Sequence, residues 1–407
     1  MFRIWNDSER FARYMIENTA LSNHKPDVST QHLPKSDAGD PKEFHRVPDH
    51  IKEILYLDSP DLIVEANGEP LFTVEISEEA GTGHNAFQRF PRIAASVEAS
   101  VPALYIYPEA TFITRKNSQD WDELNPLIFR ALESAMQIHE VPALLYYYPS
   151  DFDGTSDPPG HRSSQNGLRY DDEINGQPDR DDAEMQSMFD VVDTFIERAT
   201  GSTELDFIKN RAVRERRNWM QNQFADKEGP GKTWSPLTSV KTVPTEKVVD
   251  YLEEANPTCR PELLTRRDET VIYSANAKIR GDPYPGALAA IDYLKARIGE
   301  SYRDRDRNLV FCWGEVSQTE SGELDVTARN ESGSSVEAFV EEANKVANVN
   351  RRLLLGKDYS ELKDSEIPRY YMQVRHGTRF TQRKLVRCYA YFADAILFHD
   401  GALWREG

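Results

Sequence analysis

Cysteine is scarce in this chain, and a long apolar run is missing altogether. Only Cys259, Cys312 and Cys388 occur among 407 residues. They stand far apart, without the close pairs of a zinc site or the density of a disulfide scaffold, so buried thiols in a reducing cytoplasm are expected. No stretch reaches the roughly 18 apolar residues that a membrane helix needs. Residues 1–7 (MFRIWND) lead into no apolar segment of a secretory signal. There is also no Gly-rich phosphate loop and no nucleophile elbow, which removes two common enzyme signatures. Lysine is in short supply, 16 against 33 arginines, and the net charge is −19. That balance does not exclude nucleic acid, because affinity for phosphate comes from local basic surface and not from the total. The acid excess also fits a salt-rich cytoplasm, in which surface carboxylates keep a protein hydrated.

What is present begins at Ser59-Pro60-Asp61, followed by Leu62-Ile63-Val64, then Asn67-Gly68, then residues 71–76 (LFTVEI). Asn-Gly favours a two-residue hairpin turn, because both residues tolerate positive φ. Period-two alternation puts Leu71, Thr73 and Glu75 on one face of the second strand and Phe72, Val74 and Ile76 on the other. Asp61 and Glu75 can thus converge at one end of a sheet, as oxygen ligands of a hard divalent cation would.

This segment resembles the signature of the PD-(D/E)xK nuclease superfamily. Pro60-Asp61 matches the PD, and Glu75-Ile76-Ser77 occupies the place of (D/E)xK, with Ser77 where the lysine belongs. The resemblance covers residues 51–108, in the order hairpin, helix, strand. It implies a restriction-endonuclease-like α/β fold, a mixed sheet flanked by helices, and Mg²⁺ as cofactor, with Mn²⁺ able to substitute. Asp61 and Glu75 would be metal ligands with the carbonyl of Ile76, and Glu53 on the preceding helix would assist. In place of the lysine, Glu78 could support a metal-centred mechanism, Arg89 or Arg92 could reach in from the following helix, or the site could be inactive. Gln88 occupies the position of a Gln-led helix motif found in some branches, and shares a helix face with Arg92. His84 is either a proton shuttle or a plain helix-start residue. Against all of this, Asp61 could simply begin a strand and Glu75 face solvent.

Along the rest of the chain, residues 2–21 predict an amphipathic helix and 22–44 a loop. A helix over 84–99, shortened or kinked by Pro91, precedes the strand 103–107, and a second helix over about 122–139 precedes another strand. The two strands form a near-repeat: residues 101–108 (VPALYIYP) return as 141–149 (VPALLYYYP). Two helix-then-strand units in succession predict adjacent parallel strands. The resemblance implies a nuclease domain over 1–150, with a mobile acidic linker or loop expected over 151–184, where Asp, Gly, Ser, Pro and Asn dominate. Residues 185–407 are expected to form a helical and then α+β region, for DNA recognition or dimerisation. It would hold helices over 185–198, 205–224, 286–297 and 336–346, strands over 271–273, 309–313 and 389–398, and a turn at Asp400-Gly401.

Two basic stretches stand out. One runs from Lys209 to Arg217 and Trp219 and reads as DNA-binding or as a salt-bridged helix face. The other carries Arg375, Arg379, Arg383, Lys384 and Arg387 among Thr, Gln and Phe, side chains that contact phosphates and base edges. The expected function is a cytoplasmic, Mg²⁺-dependent DNA endonuclease of restriction or other defence type. A noncatalytic nucleic-acid- or partner-binding protein with the same fold is the alternative. DNA is the expected partner, a membrane is not, and cutting both strands is compatible with a homodimer.

Overall fold

Asn67 and Gly68 take φ of 55° and 89°, and they close a two-residue hairpin between β3 (Leu62–Ala66) and β4 (Glu69–Ile76). The computed structural model describes residues 1–33, 47–55, 59–78, 86–115, 118–155, 165–201, 206–227, 238–256, 264–265, 267–275, 307–312, 314–328 and 393–404. They fall into two compact units, described residues 1–33, 48–55 and 59–227 forming the first and 238–404 the second. Both are mixed α/β sheets with helices.

The first sheet has the order β2-β1-β3-β4-β5-β8, with β1 at Phe2–Asn6, β2 at Val28–His32, β5 at Ala103–Pro108 and β8 at Ala143–Tyr148. The β3–β4 hairpin is antiparallel, and β5 and β8 continue parallel to β4. The near-repeat is realised residue for residue, since Ala103 pairs with Ala143 and Leu104 with Leu144.

Helix α3 (Ala86–Glu98) connects β4 to β5 and buries Phe87, Phe90, Ile93, Ala94 and Val97 at helical spacing. Pro91 lies inside the helix without ending it. Thr73 Oγ1 donates to Ser96 Oγ at 2.9 Å, tying this helix to one face of β4. On the other face Phe72 meets Phe195 of α5 (Ala183–Thr200), the rings 5.9 Å apart. Two further helices, α1 (Glu9–Asn18) and α2 (Asp49–Ile54), precede the hairpin.

Several expectations are corrected. Residues 2–6 are a strand and not the start of a helix, because β1 is hydrogen-bonded on both sides, to β2 and β3. The helix begins only after Ser8, whose side chain caps it. The loop expected over 22–44 contains a 3₁₀ turn (Ala20–Asp27) and β2, and its remainder from 34 to 46 lies outside the described residues. Residues 122–126 do not begin a helix. A hairpin, β6 (Ala110–Arg115) and β7 (Ser118–Glu123), comes first, and α4 spans Leu127–His139.

The segment expected as a linker belongs to the first unit. Its described residues carry the small ribbon β9–β10 (Tyr170–Asp171 with Gln177–Pro178). Arg180 ties this ribbon to Asp171 and Glu173, at 3.1 and 2.6 Å. Acidic composition here supplies counterions to arginines.

Helix α6 (Arg211–Lys227) lies along β8, and its Arg211, Arg216 and Arg217 are paired, in line with the salt-bridged alternative. Arg216 is buried between the rings of Tyr146 and Trp219 and donates to Glu184 at 3.0 and 2.5 Å and to Leu145 O at 2.7 Å. Arg217 binds Glu133, Arg211 binds Glu215 at 2.7 Å, and Lys209 binds Asp206 at 2.8 Å.

The second sheet has the order β11-β12-β13-β16-β17. Its strands are β11 (Thr238–Pro244), β12 (Glu269–Ala275), β13 (Arg307–Cys312), β16 (Ala395–Phe398) and β17 (Gly401–Trp404). Helix α7 (Thr245–Ala255) follows β11, and the hairpin β14–β15 (Glu315–Gln318, Leu324–Thr327) follows β13. The helices expected over 286–297 and 336–346, residues 389–392 of the expected strand, Cys259, Cys388 and the basic run 375–387 lie outside the described residues. Cys312 is a buried free thiol.

Candidate functional site

The antiparallel register pairs Leu62 with Val74. One step further along, it sets Asp61 opposite Glu75, at the carboxyl end of β4. Glu75 in turn pairs with Tyr105 of β5. Residues paired across neighbouring strands share a face, and this is the face to which Ser96 ties α3. Arg89 and Arg92 lie one helical turn apart on that helix, so both guanidiniums descend onto Glu75.

Glu75 is 1 % exposed. Its Oε1 accepts from Arg89 Nη1 at 2.6 Å and from Arg92 Nη1 at 2.6 Å, and its Oε2 accepts from Arg92 Nη1 at 2.7 Å. The same Nη1 lies 3.9 Å from Asp61 Oδ1, so Arg92 spans the two acids. Asp61 Oδ2 accepts from the Ile76 N–H at 2.7 Å. The Glu75 carboxylate is therefore buried and paired, and the solvent-facing alternative is set aside.

Charge is unevenly met across the cluster. Burial, and then the nearby charge of Glu75, push the Asp61 carboxyl up to about 8, with Arg92, Arg89 and the Ile76 N–H acting against the shift. Burial is the largest influence on Arg89 and disfavours its charge, but Glu75 together with Asp61 and Tyr105 overcomes it, and the guanidinium is held more firmly protonated than usual. Burial also lifts the Tyr105 phenol well above its ordinary range. The Tyr105 hydroxyl donates to Ala86 O at 3.3 Å, at the start of α3.

Ser77 is buried, and its N–H donates to Ile106 O at 2.9 Å, which continues the β4–β5 ladder past the strand end. Glu78 is exposed, and its charge acts on Tyr148 and Tyr170. Glu53 is exposed on α2. Among the described residues no three His, Cys, Asp or Glu side chains gather as a metal-binding group, so Glu53 is not brought to the pair. Gln88 is a residue of α3, and His84 lies outside the described residues, as do Arg375, Arg379, Arg383 and Lys384.

Donor chemistry at Asp61 and Glu75 fits Mg²⁺ or Mn²⁺. Mg²⁺ characteristically takes one or two carboxylates and completes its shell with water and substrate phosphate oxygens. The raised Asp61 marks an acid short of positive charge. At Glu75, however, the guanidiniums of Arg89 and Arg92 already engage both oxygens, so a cation there competes with them.

A second buried acid was not anticipated. Glu65, 1 % exposed on β3, accepts from Trp5 Nε1, meets His50 Nε2 at 2.8 Å and has Arg3 Nη1 at 3.7 Å. Its alternation with Asp61 and Ile63 along β3 was the available signal. A cavity of about 710 Å³ opens beside Asn67, Glu69, Ser100, Glu140 and Arg198. It lies by the hairpin turn, and none of the Asp61–Glu75–Arg89–Arg92 group lines it. No family model, curated protein or solved structure matches the chain.

Proposed function

We propose that the chain is a Mg²⁺-dependent DNA endonuclease of the PD-(D/E)xK kind, with a restriction-endonuclease-like first unit, serving restriction or another defence role. The observation that carries this is the facing of Asp61 and Glu75 at the carboxyl end of β4, with the guanidinium of Arg92 reaching both. Hairpin, helix and parallel strand also follow one another in the order of that superfamily.

The reaction adds water across a phosphodiester. A P–O bond to the water oxygen forms, the bridging P–O bond breaks, and the departing oxygen takes up a proton. Mg²⁺, which Asp61 and Glu75 would hold, would supply Lewis acidity toward the water and the phosphoryl oxygens. Arg89 and Arg92 supply the positive charge that Ser77 lacks. A guanidinium fork matches phosphate oxygens in geometry, so either arginine can exchange Glu75 for the scissile phosphate. Tyr105 and Ser96 hold α3, and with it both arginines, against the sheet.

One observation favours a second reading, a noncatalytic DNA- or partner-binding protein. Both oxygens of Glu75 are already bonded to arginine. Cleavage of mixed plasmid and phage DNA, modified and unmodified, with Mg²⁺, Mn²⁺ or EDTA decides between the two. Metal-dependent fragments that vanish in Glu75→Ala support the nuclease. DNA binding without cleavage under every condition supports the noncatalytic protein.

A further inference from the structure

Glu65 sits away from the acid pair and gathers a group of its own. The register of β1 with β3 places Arg3 opposite it, and alternation brings Trp5 to the same face two residues on. The first turn of α2, a helix that packs on β4 and α3, adds His50. Both Glu65 oxygens are engaged. Oε2 accepts from Trp5 Nε1, and Oε1 lies 2.8 Å from His50 Nε2. A buried carboxylate demands donors and countercharge, and Trp5, His50 and Arg3 supply them.

The two basic side chains keep hydrogen-bonding capacity to spare. A carboxylate oxygen only accepts, so His50 Nε2 carries the hydrogen and Nδ1 is the nitrogen left over, on a ring 36 % exposed. Among the described residues Nδ1 meets no partner. Arg3 is held differently from Arg92, Arg180 and Arg216, which donate to carboxylates at 2.6, 2.6 and 2.5 Å. Its Nη1 stops 3.7 Å from Glu65 Oε2, and its guanidinium, 39 % exposed, lies over the Trp5 ring at 5.8 Å. Among the described residues this side chain makes no hydrogen bond, so its N–H donors are all available.

A guanidinium steadied on an indole, with its N–H groups open beside an imidazole nitrogen, matches the oxygens of a phosphate. We propose that Arg3 and His50, anchored on the buried carboxylate of Glu65, form a phosphate-binding site separate from the Asp61–Glu75 pair. Asp61 and Glu65 stand four residues apart on β3, about 13 Å at the rise of a strand, so one nucleic-acid strand can reach both. That use rests on the nuclease proposed above, whereas the site itself does not. A small phosphorylated molecule offers the same oxygens and is the other source.

Binding of a fluorescein-labelled single-stranded oligonucleotide to the full chain, followed by anisotropy in EDTA, tests the site without cleavage. Arg3→Gln should weaken binding about tenfold and lower the slope of log K against log salt by about 0.7, the value for one phosphate on a single strand. Arg3→Lys should keep the slope, since the charge stays. His50→Gln, whose amide can still donate to Glu65, should weaken binding less. Circular dichroism checks that each variant folds. Calorimetric titration with inorganic phosphate is the second arm. Phosphate bound by the wild-type chain and lost in Arg3→Gln, with oligonucleotide binding unchanged, would keep the site and assign it to a small phosphorylated molecule. Binding of both probes unaffected by Arg3→Gln, or absent from the wild-type chain, would overturn it. Because EDTA silences metal-dependent chemistry, an inactive nuclease leaves a supporting result standing, and an active one does not rescue a failed one.

Discussion

Polar groups are buried in both sheets, at opposite ends and by opposite means. In the second unit they are mostly neutral and saturated. Asn308 Nδ2 donates to Thr245 Oγ1, Thr270 Oγ1 and Leu264 O at 3.1, 3.1 and 2.9 Å, and its Oδ1 accepts from Arg267 at 3.2 Å. This group closes the amino end of β12 and β13, where every partner is fixed by the fold. In the first unit one buried cluster is charged and sits at the carboxyl end of β4, where burial and Glu75 push the Asp61 carboxyl up. A satisfied neutral network serves stability, whereas an acid whose ionisation is disfavoured beside two buried arginines is a perturbed group of the kind that functional sites collect.

The comparison breaks most visibly at Arg92. Removing one partner of a buried ion pair strands the other charge, so Arg92→Leu should cost about 3–5 kcal/mol in urea unfolding of the full chain. Asn308→Ala should cost about 2–3 kcal/mol by leaving two hydroxyls, a carbonyl and a guanidinium with lost partners, and should affect the transition of the second unit alone.

Asp61→Asn should act in the other direction and depend on pH. Asp61 ionises near its ordinary value in the unfolded chain and only at about 8 in the folded one, so the folded state holds the extra proton across that window. Raising the pH from 4 to 8 thus favours unfolding through this group. The substitution should leave stability at pH 4 nearly unchanged and raise it at pH 8, read from thermal unfolding at the two pH values. The smallest effect belongs to Arg211→Ala on the exposed i,i+4 pair with Glu215, about 0.3–0.5 kcal/mol and weaker at high salt.

Where local chemistry sufficed, the sequence was legible. Asn67-Gly68 dictated the hairpin, the doubled Val-Pro-Ala-Leu marked two parallel neighbours, and the spacing of Arg89 and Arg92 set both on one helix face. What stayed hidden depended on distant partners. Residues 2–6 carry Trp, Ile and Phe that suit a helix stripe equally well, and only pairing with both β2 and β3 makes them a strand. The β6–β7 hairpin did leave a signal in Thr111-Phe112-Ile113-Thr114, β-formers ahead of Asn117-Ser118. The acids of residues 171–182 looked like solvated linker until Arg180 and Arg169 were seen to claim them. At the site itself, the pairing of acids and the reach of Arg89 or Arg92 from the following helix were legible, but the closure of both guanidiniums on Glu75 was not.

Edge strands invite other chains, because unpaired backbone groups can template a further strand. At β8 that invitation is withdrawn by side chains. Arg216 takes the carbonyl of Leu145, Glu184 takes the N–H of Tyr147 at 2.8 Å, and the Met220 sulfur lies 3.5 Å from the Leu145 N–H. The same arginine that fixes α6 thus seals the lateral margin of the sheet. A second copy of the chain has no free ladder to join at β8.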